Sequence, residues 1–349
     1  MWNLLKTFFK ERYPLEGIGE FMSHKTVPVH RHSIWYYFGG ITMALLCFLI
    51  ASGLLLLLYY RPSVEGSYES VRFIMTKVDF GWLIRSVHVW SANLIIFFAT
   101  VHLISTFYMH AYRSPRELTW MSGVCLLCLL MGFGFTGYLL PWNVLSFFAT
   151  KVGTEIAGSV PLVGPTLRTF LRGGSEVGDA TLSRFFWIHI AVLPVTLVCF
   201  LSVHLMMVQV QGMSKPLSVK DDRSEPFFPD FFLHDVIVWL ILLGGVLCLS
   251  LYWPATMGVK ADPFAATPVG IRPEWYFLWM FQTLKLFPSH ILGVEGEVVA
   301  ILSMGLGALV LFLMPWVDRP GIHKRFRWML WIIGVLVIGY IITMTVVAL

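Results

Sequence analysis

Seven apolar runs of bilayer-crossing length divide this chain, at about 34–59, 82–110, 119–140, 183–210, 233–253, 296–316 and 327–348. A membrane-spanning helix needs about 20 predominantly apolar residues to cross a hydrocarbon core of ~30 Å. Lipid offers the backbone no hydrogen-bond partners, so such runs must close their bonds internally, as helices do. Hydrophobic residues are 57% of the 349 and charged residues 13%, half the share of about 25% usual in soluble domains. The expected architecture is all-α and transmembrane, with seven spanning helices arranged as a four-helix bundle and a three-helix C-terminal half.

The few charges orient the spans. Arg113 and Arg116 fall between the second and third runs, Lys215, Lys220 and Arg223 between the fourth and fifth, and Arg319, Lys324, Arg325 and Arg327 between the sixth and seventh. With Lys6, Lys10, Arg12, Lys25 and Arg31 before the first run, these loops share one side, which the positive-inside rule makes cytoplasmic. The N-terminus is then cytoplasmic and the chain a multi-pass protein of a prokaryotic-type inner membrane. The net charge of +5 is thus a topology signal, and nucleic acid is not an expected partner. Met1 to Arg12 reads as a short amphipathic stretch and not as a cleavable leader. Cys47, Cys125, Cys128, Cys199 and Cys248 all lie in apolar runs, where they read as small buried residues and not as a disulfide framework.

Two connections on the non-cytoplasmic side, 141–180 and 254–295, are too long for simple turns. The second holds an aromatic run from Trp275 to Phe287, too short to span and suited to a helix at the interface. The Pro-rich, charged stretch 213–232 divides the chain into residues 1–212 and 213–349.

Four histidines sit within the apolar runs, His88 with His102 and His189 with His204. The separations of 14 and 15 residues are close to four helical turns, roughly 21–23 Å of rise, so each pair points to nearly one side of its helix. Ionisable residues within spans are rare and usually functional. Two such helices side by side give two levels at which histidines face each other, the ligand set for two bis-histidine haems: His88 with His189 outside, His102 with His204 inside. Gly39 and Gly53 in the first run, and Gly123 and Gly137 in the third, repeat the 14-residue spacing. They suit the close approach of a planar macrocycle, or plain helix packing at small residues. Arg85 and Arg184 precede the outer histidines by three and five residues, placed either to snorkel or to pair with haem propionates.

Pro273-Glu274-Trp275-Tyr276 places a carboxylate in an aromatic stretch. Two readings stand: a buried acid with a raised pKa that exchanges protons, or a helix N-terminal carboxylate that satisfies backbone amides.

These motifs, with Gly137-Tyr138-Leu139-Leu140-Pro141-Trp142, Phe80 to His88 and Pro115 to Trp120, resemble the cytochrome b subunit of quinol-oxidising cytochrome bc complexes. Residues 1–212 look like cytochrome b6, and residues 213–349 like subunit IV fused to it. The resemblance implies a quinol pocket near the outer haem built from Tyr138, Pro141, Trp142 and Glu274, with Tyr276 and Phe277 alongside. Glu274 would accept a proton there, with Tyr138 and Tyr276 as further catalytic groups. It implies a quinone-reducing pocket near the inner haem with His234-Asp235, a pair that also reads as a solvated helix start. The implied cofactors are two haem b and quinol/quinone. The implied partners are a Rieske-type iron–sulfur protein, a c-type cytochrome and a second copy of the complex in a homodimer.

Four positions depart from the b6 pattern. Tyr37 stands where a cysteine would carry an additional covalent haem, so that haem is not expected. Gln209-Val210 replaces a basic pair after the last haem ligand, and Asn143 follows Pro-Trp where Asp or Gly is usual. Other assignments remain for a chain like this: a di-haem anchor passing electrons without bifurcation, or a seven-helix transporter whose histidines are structural.

Overall fold

A computed structural model describes residues 25–216, 223–319 and 323–349, with Thr7, Val219 and Gly321. The amphipathic stretch before Arg12, with Lys6 and Lys10, and the Lys220 charge lie outside the described residues.

Among the described residues six helices are long and apolar enough to cross a membrane: Ser33–Leu57, Gly81–Tyr108, Glu117–Leu139, Asp179–Gln211, Phe227–Tyr252 and Arg325–Ala348. They are labelled by their helical cores as α1 (Tyr37–Leu57), α3 (Gly81–Tyr108), α4 (Glu117–Leu139), α7 (Asp179–Gln211, which includes one π-helical turn), α8 (Phe232–Tyr252) and α12 (Lys324–Ala348). Their exteriors stay apolar where they are exposed, as at Leu54, Val195, Ile241 and Leu336, which is the surface lipid would cover. The chain is an integral membrane protein. Four of the five cysteines, Cys47, Cys128, Cys199 and Cys248, lie on these exposed faces, where the sequence reading expected burial; a thiol is small and apolar enough to face lipid.

The sixth run differs from expectation. Its helix, α10, ends at Phe312 after 17 residues, about 25 Å of rise and shorter than the six others. Pro315 is the cause: it has no N–H to give the Leu311 carbonyl and its ring crowds that carbonyl, so the helix ends, the chain turns at Leu313 and restarts as the single turn α11 (Met314–Val317).

Short helices fill the long connections. The sequence reading had no element between the first two spans, where α2 (Ser67–Lys77) forms. The 141–180 connection folds into α5 (Val144–Gly158) and α6 (Gly164–Arg172). Arg172, 2% exposed, holds these together: it donates to Thr154 Oγ1 (2.8 Å) and to the carbonyls of Lys151 and Ser175, and pairs with Glu155 at 2.9 Å. The aromatic run forms α9 (Trp275–Leu286), the short helix expected there.

Helices α1 and α3 pack as one pair and α4 and α7 as another. Between them Leu45, Ile95, Ile96, Leu130 and Leu197 form a buried core that also takes in Val246 of α8 and Tyr276 of α9. The N-terminal segment Thr26–Pro28 (β1) pairs antiparallel with Ser224–Pro226 (β2), just ahead of α8.

Candidate functional site

The four histidines face four glycines. A Cβ on Gly39 would lie 3.5 Å from His102 Cε1, on Gly53 3.2 Å from His88 Cε1, on Gly123 3.3 Å from His204 Cε1, and on Gly137 2.7 Å from His189 Cε1. Each glycine therefore makes room for the imidazole on the helix beside it, α1 for α3 and α4 for α7.

The residue before each glycine sets the chemistry of the ring. Ser52 Oγ, Ser122 Oγ and Thr136 Oγ1 lie 3.0, 2.9 and 3.2 Å from Nδ1 of His88, His204 and His189. Each hydroxyl gives its own proton to a carbonyl of its helix: Ser52 to Phe48 at 2.6 Å, Ser122 to Thr119 at 2.9 Å, Thr136 to Gly132 at 2.8 Å. The hydroxyl oxygen is then left to accept, so Nδ1 carries the ring proton and Nε2 presents its lone pair. This is the tautomer a metal-binding imidazole with an anchored Nδ1–H requires. The three Ser-Gly and Thr-Gly dipeptides were readable signals that the sequence analysis passed over. The fourth glycine, Gly39, follows Phe38, and Nδ1 of His102 is buried without a partner.

The 15-residue spacing in α7 has a structural cause. Fifteen residues of regular α-helix rotate about 100° further than fourteen, which would put the two pairs on different faces. Residues Ile188–Val192 form one π-helical turn, closed by Leu193 N–H donating to the Ile188 carbonyl. One residue is absorbed there, so His189 and His204 subtend the same face as His88 and His102. Pro194 favours the turn, because it cannot donate to the Ile190 carbonyl in an α-helix.

The rings of His88 and His189 are 6.4 Å apart centre to centre. Two metal–imidazole bonds of about 2.0–2.1 Å, plus about 1.1 Å from each nitrogen to its ring centre, give roughly 6.3 Å. The outer pair would hold one metal between its rings, and His102 and His204 lie 14 and 15 residues further along the same two helices. Among the described residues no three His, Cys, Asp or Glu side chains converge on a metal position, so the pairs suit a metal whose other ligands come from a macrocycle.

At the inner level Asp235 packs against Gly40, beside the glycine that faces His102, and its Oδ1 is buried without a partner. His234, one residue earlier and about 100° round the helix, is exposed; the structure brings only Asp235 to this level. The Tyr37 ring is stacked on Phe231 at 4.8 Å. The Gln209 carbonyl accepts from Lys25 Nζ, and Val210 is exposed.

At the outer level the chain from Trp253 to Ala261 is pegged onto the first half. Trp90 Nε1 donates to the Trp253 carbonyl, and the Ala255 amide donates to Ser86 Oγ. Arg85, 8% exposed, donates to the carbonyls of Ala255 (2.8 Å) and Thr256 (3.0 Å). Its guanidinium supplies the donors that two loop carbonyls would otherwise lack. Arg184 likewise donates to the carbonyls of Thr169 and Phe170. Asn143 caps α5 by accepting from the Ser146 amide, and its Nδ2 donates to the Met257 carbonyl, which gives that departure a use. Tyr68 Oη reaches the Gly258 carbonyl, and the Ala261 amide donates to the Trp142 carbonyl.

Trp142, at φ 51°, is fully buried among Leu139, Phe147, Phe148 and Phe185. It shapes the turn from behind, while Tyr138 and Pro141 remain half-buried. Glu274 is the N-cap residue of α9, yet its side chain makes no capping hydrogen bond. Burial raises its carboxyl above the usual carboxylate range. Of the two readings left open for Glu274, the capping one has no geometry behind it. Tyr276 is buried with its hydroxyl against Gly134 of α4, and burial, then the charges of Glu274 and Tyr138, raises that phenol. Phe277 meets Phe135 edge-on at 6.2 Å. Tyr138, Glu274 and Tyr276 thus form one electrostatically connected group at the seam of the two halves.

The family described as Cytochrome b/b6/petB matches residues 22–212, and that described as Cytochrome b(C-terminal)/b6/petD matches residues 260–349. The cytochrome bc complex cytochrome b subunit of Chlorobaculum thiosulfatiphilum is 44% identical over 343 residues, covering 97% of this chain and 79% of that one. Cytochrome b6 of Stigeoclonium helveticum is 42% identical over 212 residues, 60% of this chain and 97% of the relative. A solved structure of a hyperthermophilic respiratory Complex III superposes with a TM-score of 0.85 at 27% identity, covering 98% of this chain and 90% of that one. The paired histidines, the carboxylate at the seam and these likenesses agree: the chain belongs to the cytochrome b family, as a cytochrome b of the bc/b6f type that works in electron transfer.

Proposed function

We propose that this chain is the di-haem cytochrome b of a bc complex, carrying out bifurcated quinol oxidation and transmembrane electron transfer to quinone, coupled to proton translocation. The observation that carries this reading is the outer histidine pair, 6.4 Å apart ring to ring with each Nδ1 against a hydroxyl, together with a half-buried carboxylate at the seam that caps nothing. His88 with His189, and His102 with His204, would each hold a haem b, which would supply a one-electron carrier at two depths. The protein's own part is to fix Nε2 on three of the four rings, to exclude water at the seam, and to move protons. A quinol that becomes quinone releases two electrons and two protons. Ionised Glu274 would take one proton and the other would leave with the electron that goes to the iron–sulfur partner, the second electron passing to the histidine-held carriers. Tyr138 and Tyr276 hold the substrate's hydroxyl end, Pro141 and Phe277 wall the pocket, and Trp142 supports it from behind. Asp235 takes the corresponding place at the inner level, with His234 at the cytoplasmic surface. The partners are a Rieske-type iron–sulfur protein that accepts one electron and a c-type cytochrome; the complex is a homodimer.

The chain divides into a b6-like unit, 1–212, and a subunit IV-like unit, 213–349, and crosses an inner membrane seven times with its N-terminus cytoplasmic. The contacts at the ends of α10 favour the seventh crossing. Glu297 at its start accepts from Ser159 of the outer connection, and Asp318 just beyond its end pairs with Arg113 of a cytoplasmic loop. Arg272 donates to the carbonyl of Leu349, which returns the C-terminus to the outer side. No covalent third haem is held, since Tyr37 offers no thiol and its ring is stacked on Phe231.

A redox titration in the visible haem bands with a pyridine haemochrome count tests the assignment: two non-covalent b haems per chain are expected, and one or none refutes it. The pH profile tests Glu274. Its raised carboxyl keeps its proton to higher pH than an ordinary acid, and only the ionised form accepts a proton. The oxidation rate should therefore fall as pH drops through that raised value, and Glu274→Gln should abolish this limb and cut the rate about 10²-fold or more. Ser122→Ala should raise the inner haem potential, because Nδ1–H of His204 loses its acceptor and the ring donates less to the iron. A hydrogen bond of about 1 kcal/mol felt by one oxidation state corresponds to roughly 40 mV for one electron. A shift of the outer potential instead would reverse the pairing.

A further inference from the structure

Asn93 is a primary amide in the middle of the apolar helix α3, five residues beyond His88 and nine before His102. An amide there needs partners, since leaving a buried polar group unpaired is costly. Its Nδ2 donates to the Val89 carbonyl one turn back, at 2.9 Å. That bond fixes the amide's orientation and turns Oδ1 outward, where it accepts from the indole Nε1 of Trp275 at 2.8 Å. Trp275 is the first residue of α9, and Glu274 is its N-cap. Consecutive Cα atoms are about 3.8 Å apart, so a bond that holds the Trp275 ring also restrains the backbone from which the Glu274 carboxyl projects.

Two anchors flank that carboxyl. On one side Trp275 is tied to α3, the helix of His88. On the other the Tyr276 hydroxyl sits against Gly134 of α4, three residues before Gly137. The far end of the same connection is held by the same helix: Ser86, Trp90 and Asn93 follow one face of α3 at spacings of four and three residues, and Ser86 and Trp90 take Ala255 and Trp253. Trp90 and Ser86 fasten where the connection leaves α8, and Asn93 fastens where it re-enters α9.

We propose that Asn93 is a positioning residue of the outer quinol pocket, holding Trp275 so that Glu274 is fixed in register with the His88 level. This rests on the reading of Glu274 as the proton acceptor. Acting through another side chain, Asn93 influences the chemical step and not the affinity of the haem irons. Small misplacements of a catalytic group cost rate far more than they cost binding.

The test uses the whole purified complex, a short-chain quinol and an oxidised c-type cytochrome as acceptor. The variants are Asn93→Leu, Trp275→Phe, their double, and Glu274→Gln. Asn93→Leu keeps the side-chain volume and removes the acceptor; Trp275→Phe removes the donor. The expected result is a kcat about tenfold lower in each single variant with KM within about twofold, and no further loss in the double, because both remove one bond. The acid limb assigned to Glu274 should move in both, while the two haem potentials stay at their wild-type values. Losses that multiply in the double, an unchanged kcat in Asn93→Leu, or a shift of both haem potentials would overturn the proposal. If Asn93→Leu does not assemble, Trp275→Phe decides by its kcat, KM and pH limb alone, with an unmoved limb overturning it. A Glu274→Gln enzyme as fast as wild type would instead sink the underlying reading, whatever Asn93→Leu did.

Discussion

Gly137→Ala is expected to strip the outer haem and leave the inner one, halving the haem content and cutting electron flow by two orders of magnitude or more. The added methyl would lie 2.7 Å from Cε1 of His189, 3.2 Å from Nδ1 and 3.4 Å from Nε2. The ring has no easy retreat. Its Nδ1 is held by Thr136, the residue beside the new methyl, and its backbone is set by the π-helical turn Ile188–Val192. Moving the ring therefore sacrifices the bond that fixes its tautomer, and turns Nε2 away from His88. The other three glycines grade the effect. Methyls on Gly53 and Gly123 would stand 3.2 and 3.3 Å from their histidines, close enough to demand a few tenths of an ångström of give, whereas at Gly39 the distance of 3.5 Å is ordinary contact. The order of damage should be Gly137, then Gly53 and Gly123, then Gly39, whose alanine variant should keep both haems. A haemochrome count with a two-step redox titration reads this out. Equal loss at all four positions, or none, would show that the glycines serve something other than the imidazoles.

The same comparison shows what is visible in the letters and what is not. Apolar length and histidine spacing report on positions along one helix, so the spans and the ligand-bearing faces could be read directly. The 15-residue gap looked like a near miss of the 14-residue one, and only the backbone reveals the inserted π turn that equalises them. The glycine spacing was visible, but its target was not: periodicity cannot say that Gly39 and Gly53 serve α3 while Gly123 and Gly137 serve α7. Partners far apart in sequence were out of reach altogether. Asn93 and Trp275 are separated by 182 residues, and Arg85 finds a carbonyl 170 residues on. The short outer helices α2 and α5 also carried no spanning-length signal, being too brief to stand out against loops that hold Gly and Pro.

A second large effect is expected at the opposite face of the protein, where the halves are joined by one carboxylate. Asp318 is fully buried at the end of α11. Arg113 Nη2 lies 2.6 Å from Oδ2 and 2.7 Å from Oδ1, its Nε donates at 3.0 Å, and the Tyr112 hydroxyl donates to Oδ2 at 2.7 Å. Trp120 Nε1 adds a bond to the Leu311 carbonyl nearby, and Phe107, Tyr112, Trp120 and Met314 pack around the group. His110 stands 3.5 Å from the carboxylate, but burial and then the Arg113 charge push its imidazole down, so at neutral pH it is uncharged and Arg113 is the cation of the pair. Removing one partner of such a pair leaves the other charge uncompensated, a cost of about 3–5 kcal/mol. Asp318→Ala should therefore lower the thermal midpoint of the detergent-purified complex by several degrees and loosen the seventh run from the bundle, with the haem spectra of the surviving fraction unchanged. The pH dependence carries a sign. Burial alone would raise this carboxyl, but the hydrogen bonds from Arg113 and Tyr112 outweigh it and hold it below the ordinary value of 3.8. A depressed acid stabilises the fold at every pH above its unfolded value and loses that contribution only as pH falls through the folded one. Wild type and Asp318→Asn should thus differ fully at neutral pH and converge only in strong acid; a gap that closed already between pH 5 and 7 would mean that the Arg113–Asp318 pair is not what joins the two halves at this face.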